Sequence, residues 1–265
     1  MQNEDVIVIG ATGLIGTSVC QILKNKGYTP IEIHSKNYEN YFGCQARVLI
    51  NCNGSSYRYR AKQNPKLDFD ANVQSVKNTL FDFDYELYVY CSTVDVYPHT
   101  DSYSKTEEST QLNSSVLHPY GFHKWLAERL VEKFAENFLI LRLGTIIGPN
   151  LKKGPIFDIL NCEYLHLSPQ SVLSFIHTEW INNVIEKLIN NSSQQEIYNV
   201  TGFGEVVLET LLQKFERQLK LNETNLSSKY SINIDKLAQV IQLPSSEEMV
   251  EIFIQQLNQN QNSQS

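Results

Sequence analysis

A glycine-rich turn between a short apolar strand and a helical pattern constrains this chain more than any other feature. Residues 6–9 predict a buried strand, and Gly-Ala-Thr-Gly-Leu-Ile-Gly follows directly. Glycines let the backbone turn tightly and approach a phosphate, while the free N–H groups that open the next helix favour negative charge. The pattern therefore predicts a dinucleotide site. Its predicted residues are Gly10, Thr12, Gly13, Leu14, Ile15 and Gly16.

Short apolar runs alternate with helical patterns along much of the chain. Strands are predicted at 6–9, 30–33, 48–50, 87–90 and 138–141, with helices between them near 72–80 and 120–136. Strands that alternate with helices imply crossover connections and a parallel sheet covered on both faces. The predicted fold class is therefore α/β, a Rossmann-like doubly wound parallel sheet with a small C-terminal substrate lobe.

The second part of the chain is less regular, because prolines and glycines divide it into short pieces. We expect one Rossmann-type unit over residues 1–257, with the substrate lobe formed mainly by 150–171 and 201–257. Residues 258–265 are polar and of low complexity, so we expect them to be disordered.

Composition excludes several classes of function. The 265 residues include 22 Lys and Arg against 29 Asp and Glu, a net charge of −7, which argues against nucleic-acid binding through a basic surface. No apolar run is long enough to span a bilayer, and the first residues do not fit a signal peptide. The five cysteines are scattered without a CxxC pair. We therefore predict no metal site and no membrane contact, and we expect a cytoplasmic protein.

The residues after the second predicted strand bear on the choice of dinucleotide. An acidic residue at this place would bind the ribose 2′-hydroxyl of NAD, but the chain has His34, Ser35 and Lys36. No carboxylate here repels a 2′-phosphate, while Ser35 offers a hydrogen bond and Lys36 a charge. NADP is therefore favoured over NAD. NAD stays the alternative, because His34, Ser35 and Lys36 are also explained as ordinary loop residues in solvent.

A tyrosine and a lysine four residues apart supply candidate acid–base chemistry. Tyr120 and Lys124 lie on one face of a predicted helix. The ammonium of Lys124 is expected to lower the pKa of Tyr120 from about 10 toward neutrality, so that the hydroxyl exchanges a proton with a carbonyl or alcohol oxygen. Ser92 and Thr93 end a predicted strand and offer that oxygen a hydroxyl. A helix cap or turn is the alternative reading of both.

Together these residues resemble the extended short-chain dehydrogenase/reductase family, in its sugar-nucleotide epimerase/dehydratase group. The matches, in chain order, are the glycine turn, Asn51-Cys52-Asn53-Gly54, Asn72-Val73, Ser92-Thr93 with Val96-Tyr97, Tyr120 with Lys124, Leu141-Arg142 with Gly148-Pro149, Phe175-Ile176-His177 and Tyr198-Asn199-Val200. The resemblance implies that Tyr120 is the acid/base and that Lys124 holds the nicotinamide ribose. It places the catalytic hydroxyl on Thr93, with Ser92 beside it.

The same resemblance extends the candidate site and its partners. It adds cofactor contacts at Asn51, Cys52, Asn53, Gly54 and Asn72. Candidate substrate contacts are Asp95, Thr145 and Arg58; Arg58 suits a phosphate, although a charged loop explains it equally well. The family implies a small-molecule substrate, a nucleotide sugar, and a homodimer formed through the helices near 72–80 and 120–136.

Departures from the family pattern narrow the expected reaction. Dehydratases of this family have Thr-Asp-Glu where this chain has Thr93-Val94-Asp95, and a valine transfers no proton. Thr145 stands where epimerases often have asparagine, and the lobe is short. By analogy we expect an NAD(P)-dependent ketoreductase acting on a sugar-like, nucleotide-linked substrate. A sugar-nucleotide epimerase with tightly bound NAD and a non-catalytic dinucleotide-binding module remain the alternatives.

Overall fold

The computed structural model describes residues 5–55, 57–161, 164–190, 195–216, 218–221 and 227–262. The strands are β1 (Val6–Ile9), β2 (Ile31–Ile33), β3 (Gln45–Asn51), β4 (Asp84–Thr93), β5 (Phe138–Leu143), β6 (Thr145–Ile147), β7 (Tyr164–Leu165), β8 (Val172–Leu173), β9 (Phe175–His177), β10 (Gln195–Val200), β11 (Val206–Val207) and β12 (Lys220–Leu221). The helices are α1 (Leu14–Asn25), α2 (Arg58–Gln63), α3 (Pro65–Phe69), α4 (Ser75–Phe81), α5 (Pro119–Phe134), α6 (Pro155–Asn161), α7 (Thr178–Ile189), α8 (Leu208–Lys214), α9 (Asp235–Ala238) and α10 (Ser246–Asn262). A π-helical turn at Asp70–Gln74 joins α3 to α4.

Six strands form one parallel sheet in the order β10-β5-β4-β3-β1-β2. The sheet is doubly wound, because β2 lies on one side of β1 while β3, β4 and β5 follow on the other. The carboxyl ends of neighbouring strands therefore meet at one edge, where parallel sheets place their ligands. The predicted Rossmann-like α/β class is confirmed.

Alternation along the strands builds a separate core on each face of the sheet. Val6 and Val8 of β1 pack into a cluster with residues of α1 and α7. Ile7 and Ile9 point the other way and pack with residues of α4 and α5. Both faces are covered, which explains why the central strands are continuous apolar runs without a polar face.

Residues 150–171 and 201–257 lie outside the six-stranded sheet. They contribute β11, which pairs with β8, and β12, which pairs with β7. Helix α10 continues to Asn262, and the disorder expected of residues 258–265 stays a prediction. Met249, Val250 and Phe253 anchor this helix in the core and so support its polar end. Residues 263–265 lie outside the described residues.

Two further observations concern composition. Within the described ranges, no helix combines the length and the apolar character that crossing a membrane requires. Cys20, Cys44, Cys52 and Cys91 are free thiols. Cys162 lies outside the described residues.

Candidate active site

The glycine-rich turn joins β1 to α1 at the carboxyl edge of the sheet. Gly10 has a φ of +77°, a left-handed conformation that favours glycine. A Cβ atom at Gly16 would lie 2.2 Å from the carbonyl oxygen of Gly10, so this close approach requires glycine. Helix α1 has no side-chain cap at Gly13 and no acidic residue in its first turn. Its first N–H groups are therefore available to an anionic phosphate.

A cavity of about 240 Å³ opens beside this turn. Its lining residues are Ile9, Gly10, Thr12, Gly13, His34, Ser35, Tyr38, Cys52, Asn53 and Gly54. No carboxylate occurs among these described lining residues, which suits an anionic ligand. Eight of the sixteen predicted cofactor residues therefore line this cavity, and Leu14, Ile15 and Gly16 form the adjoining turn of α1. Lys36 is exposed and does not line the cavity, whereas Tyr38, which sequence reasoning missed, does.

Asn51 is not among the residues that line this cavity, and its contact with a cofactor stays a prediction. Its Nδ2 donates to the hydroxyls of Tyr88 at 2.6 Å and Thr79 at 3.0 Å, on the side of the sheet covered by α4. Its Oδ1 accepts the backbone N–H of Asn53 at 2.9 Å. Alternation along β3 places Asn51 on the same face as Leu49. Asn51 therefore positions the turn at Asn53 and does not touch the cavity itself.

Asn72 lies on the π-helical turn and is fully buried. Its Oδ1 accepts the backbone N–H of Ser55 at 3.1 Å, next to Gly54 of the cavity wall. Its Nδ2 has no partner among the described residues. Buried amides are normally satisfied, so this orphaned donor fits a site completed by a bound molecule.

The candidate acid–base residues meet where β4 ends and α5 begins. The side chains of Tyr120 and Thr93 are both buried, and Thr93 lies close enough to influence the pKa of Tyr120. The Nζ atom of Lys124 donates to the backbone carbonyl of Cys91 at 2.8 Å and lies 4.2 Å from the ring centroid of Tyr90. A Cβ atom built at Gly54 would lie 3.9 Å from this Nζ. Tyr120 and Lys124 thus stand one turn apart on α5, and Lys124 lies between the end of β4 and Gly54 of the cavity wall.

Burial dominates the protonation of this group. Burial raises the pKa of Tyr120 above its ordinary value; the charge of Asp95 adds to this, and the hydrogen bond with Thr93 acts in the opposite direction. The expected lowering of this pKa by Lys124 is therefore wrong for the free protein. Burial also lowers the pKa of Lys124 to about 8. Tyr120 is held in its protonated form, which is the form that can donate a proton.

The hydroxyl of Ser92 is engaged by Glu128, and the role of Ser92 as a catalytic hydroxyl stays a prediction. Its Oγ donates to Oε1 of Glu128 at 2.5 Å, and that carboxylate pairs with the buried Arg142 at 2.8 Å. Successive residues of a strand point to opposite faces, so Ser92 and Thr93 do not both face the same site.

The ion pair of Glu128 and Arg142 continues into a longer hydrogen-bonded chain. Nη1 of Arg142 donates to the Tyr97 hydroxyl at 2.8 Å, which donates to Oδ1 of Asn199 at 2.9 Å. Nδ2 of Asn199 then donates to the backbone carbonyls of Thr106 at 2.6 Å and Asn233 at 2.8 Å. This chain links α5, β5 and β10 to segments outside the sheet.

The candidate substrate contacts Asp95 and Arg58 meet at a tyrosine that sequence reasoning missed. The hydroxyl of Tyr230 donates to Oδ1 of Asp95 at 2.6 Å, and Nη1 of Arg58 donates to the same hydroxyl at 2.5 Å. Arg58 and Asp95 form an ion pair at 3.4 Å. Tyr230 lies 135 residues from Asp95, so no local motif signals it. Thr145 lies on β6 opposite Phe175, and no contact among the described residues joins it to this group.

A glycine-rich turn at one strand end, with a buried tyrosine, lysine and threonine at another, is the arrangement expected of a dinucleotide-binding α/β enzyme. A model of the NAD dependent epimerase/dehydratase family matches residues 6–159, and the chain belongs to this family. The resemblance to the extended short-chain dehydrogenase/reductase type is thereby confirmed, and with it the prediction of an NAD(P)-dependent enzyme.

Known proteins resemble this chain in part or in whole. UDP-glucose 4-epimerase of Rhizobium meliloti (strain 1021) is 26% identical over 160 residues, which cover 51% of this chain and 48% of that protein. The chain therefore matches about half the length of this relative. A dTDP-4-dehydrorhamnose reductase from Bacillus anthracis str. Ames, in complex with NADP, has a TM-score of 0.76 at 19% identity and covers 97% of this chain and 99% of its own. A UDP-galactose 4-epimerase has a TM-score of 0.79 at 16% identity and covers 96% and 99%. At these identities the two structures show the fold.

Proposed function

We propose that this chain is an NAD(P)-dependent oxidoreductase that reduces a keto group on a nucleotide-linked sugar. The observation that carries the proposal is the buried position of Tyr120 beside Thr93 at the end of β4, with Lys124 of the same helix held by the carbonyl of Cys91 and next to Gly54 of the cavity wall. The names of the similar proteins refer to sugars linked to UDP or dTDP, which supports the substrate class.

Each residue of the group has a distinct task in this proposal. When bound, the dinucleotide supplies a hydride to the carbonyl carbon. Tyr120, protonated because burial raises its pKa, donates its proton to the carbonyl oxygen. The Thr93 hydroxyl orients that oxygen, and the ammonium of Lys124 stabilises the phenolate that remains. The N–H groups at the start of α1 hold the pyrophosphate, and Lys124 holds the nicotinamide ribose.

Val94 and Asp95, which lie between Thr93 and Tyr97, disfavour a dehydratase reaction. Val94 is buried in a small apolar cluster with Val96 and Ile232, so no proton-transferring group occupies its place. Asp95 is engaged by Tyr230 and Arg58. The dehydratases of this family have carboxylates at both of these positions, whereas here Val94 carries none and the carboxylate of Asp95 is already bound.

For the cofactor we propose NADP, with NAD as the alternative. His34 and Ser35 line the cavity and Lys36 lies next to them. This leaves room for a 2′-phosphate without a described carboxylate to repel it, while Ser35 and Lys36 offer a hydrogen bond and a charge.

The reductase is tested with purified protein, NADPH and a 4-keto nucleotide sugar. We expect net oxidation of NADPH, followed by its absorbance, together with formation of the 4-hydroxy sugar. Protein that instead interconverts two epimers with retained cofactor, and consumes no NADPH, would establish the epimerase. The epimerase is the second candidate function because this chain is similar to a UDP-glucose 4-epimerase.

We also propose a homodimer formed through α4 and α5. Phe81 of α4 and Phe134 of α5 are 59% and 51% exposed, and their rings contact each other with centroids 5.1 Å apart. Exposed aromatic pairs on adjacent helices favour burial against a second copy. Light scattering after gel filtration should give twice the mass of one chain, and Phe134→Glu should give the mass of one. A monomeric unsubstituted protein would contradict this.

A further inference from the structure

Two cysteines lie side by side where neighbouring strands of the sheet end. Asn51 of β3 pairs with Tyr90 of β4, so the next residues along these parallel strands, Cys52 and Cys91, stand opposite each other. Their Sγ atoms are 3.8 Å apart. Neighbouring strands are about 4.8 Å apart, which lies within the range of Cα separations, about 4.4–6.8 Å, that disulfides bridge. The backbone therefore has the spacing that a disulfide needs.

Both side chains point to the same face of the sheet. Cys91 is buried in the core cluster on the side of α1 and α7, and Cys52 packs against that cluster. Both are free thiols in contact with each other. A disulfide bond is about 2.05 Å long, so the two sulfur atoms must approach by about 1.8 Å. A turn of each side chain about its Cα–Cβ bond, with a small shift of a strand end, supplies this movement.

Cys52 is reached from the cofactor cavity, and Cys91 lies behind it. Cys52 is one of the lining residues of the cavity, whereas Cys91 is 5% exposed. When no dinucleotide is bound, an oxidant that enters the cavity therefore meets Cys52 first. The hydrogen bond with Cys91 and burial raise the pKa of Cys52, while the charge of Lys124 acts in the opposite direction. Little thiolate is thus present at neutral pH, so oxidation is slow there.

We propose that Cys52 and Cys91 form a disulfide when a peroxide enters the cofactor cavity, and that this disulfide weakens binding of the dinucleotide. The Cys52 thiolate attacks one peroxide oxygen, the O–O bond breaks, and a sulfenic acid forms; the departing hydroxide takes up the proton that Cys52 lost and becomes water. The Cys91 sulfur then attacks the sulfenic sulfur. The S–S bond forms, and the hydroxyl leaves as water with the proton of the Cys91 thiol. The two cysteines together lose two electrons, and the peroxide is reduced to water.

The disulfide would act on the site through the backbone of both cysteines. Cys52 precedes Asn53, and this turn lies against the glycine-rich turn, because a Cβ atom built at Gly10 would be 3.0 Å from the backbone nitrogen of Asn53. The carbonyl of Cys91 accepts the hydrogen bond of Lys124. Drawing the two strand ends together therefore moves the cavity wall, the carbonyl that holds Lys124, or both. The proposal goes beyond the proposed function, since it needs no particular sugar.

The test treats protein without bound dinucleotide with hydrogen peroxide at about pH 8.5, where more of a thiol is ionised. Peptide mass spectrometry identifies which cysteines are joined. After removal of the peroxide, fluorescence titration with NADPH and NADH measures each Kd. The variants are Cys52→Ala and Cys91→Ala, and Cys20→Ala is the matched control, because Cys20 is a buried thiol of the same core cluster. Each protein is compared with itself before treatment, so its basal affinity does not enter the comparison.

We expect a crosslinked pair of peptides that joins Cys52 to Cys91 in the unsubstituted protein and in Cys20→Ala. In these two proteins the Kd of the dinucleotide should rise about tenfold on treatment, and a thiol reductant should restore it. Cys52→Ala should show neither the crosslink nor the rise, and Cys91→Ala should form no crosslink.

Access through the cavity is tested by adding oxidised dinucleotide, which peroxide leaves intact, before the peroxide. At about ten times its Kd it leaves about one tenth of the protein free, so crosslinking should become about tenfold slower. An equal rate with and without dinucleotide would contradict access to Cys52 through the cofactor cavity.

Three results would overturn the pair. They are the absence of a crosslink, a crosslink from Cys52 to Cys20 or Cys44, and a sulfinic acid at Cys52 while Cys91 stays reduced. A complete crosslink between Cys52 and Cys91 with unchanged Kd values would overturn its effect on the dinucleotide site. Protein that forms the crosslink and loses affinity for the dinucleotide, but reduces no keto sugar, keeps this inference and refutes the proposed function.

Discussion

The cofactor end and the substrate end of the cleft are built in opposite ways. The cofactor end consists of turns that are short in sequence, Gly10–Gly16 and Asn53–Gly54, and it presents mainly backbone. The substrate end consists of side chains from distant positions, such as Arg58, Asp95 and Tyr230. Backbone N–H groups recognise a phosphate whatever the neighbouring side chains are, whereas charged side chains select one substrate. We therefore expect substitutions to separate cofactor affinity from turnover and substrate affinity.

The largest separation is expected from Tyr120→Phe. Loss of the proton donor should reduce turnover about 100- to 10,000-fold, the usual range for general acid catalysis, while the Kd of NADPH stays unchanged. Steady-state kinetics and NADPH fluorescence measure the two quantities. Tyr103→Phe is the control, because Tyr103 is an exposed tyrosine. Unchanged turnover in Tyr120→Phe would favour the non-catalytic binding module.

Gly16→Ala should have the opposite effect: it should weaken binding of the cofactor and leave binding of the substrate unchanged. The added Cβ atom would lie 2.2 Å from the carbonyl oxygen of Gly10, so the turn must shift. Overpacking of this kind costs about 1–3 kcal/mol, which corresponds to a 5- to 150-fold weaker binding of NADPH. The Kd of UDP-glucose, measured without cofactor, should not change. Equal weakening of both ligands would show that the two ends are not independent.

The pH dependence of kcat/KM should report the protonation of Lys124, which lies between the end of β4 and the cofactor cavity. Burial lowers the pKa of Lys124 to about 8, so its ammonium is present below that pH and is lost as the pH rises through it. We expect kcat/KM to fall about tenfold per pH unit above about 8. Lys124→Arg keeps the charge at all these pH values and should remove the fall, even if its overall rate is lower. A profile that stays flat to pH 10 would contradict this assignment.

The smallest effect is expected from Lys36→Gln. An exposed charge contributes about 0.2–1 kcal/mol, so the Kd of NADPH should rise about two- to fivefold while that of NADH stays the same. Lys77→Gln, an exposed lysine on α4, is the control. If Lys36→Gln changes both cofactors equally, the 2′-phosphate does not lie at Lys36.

The signals for the glycine-rich turn are local in the sequence, so its place in the fold can be predicted from them. The order of strand, glycine turn and helix lies within residues 6–25 and places the phosphate-binding atoms without knowledge of the rest. The spacing of Tyr120 and Lys124 on one helix was equally readable.

The direction of side chains is the part of the site that the sequence shows least. Asn51 and Ser92 stand at the right strand ends, but strand alternation turns both of them into the core. If a strand is predicted one residue out of step, every side chain is assigned to the wrong face of the sheet. A short apolar run does not show which of its residues face which side. Tyr230 was missed because its contact with Asp95 depends on how the lobe packs. The raised pKa of Tyr120 likewise follows from burial that no motif encodes.

The buried chain from Glu128 through Arg142 and Tyr97 to Asn199 limits how such an enzyme can be re-engineered. The last donor, Nδ2 of Asn199, bonds the backbone carbonyls of Thr106 and Asn233. Both carbonyls belong to segments outside the sheet, so the bonds depend on how those segments run. A graft that replaces the lobe with a homologous one must reproduce the carbonyl at Asn233, or the amide of Asn199 loses a partner in the interior. Sheet and lobe are therefore not interchangeable modules. A new substrate preference is more readily obtained by replacing individual side chains along the cleft than by transplanting the lobe.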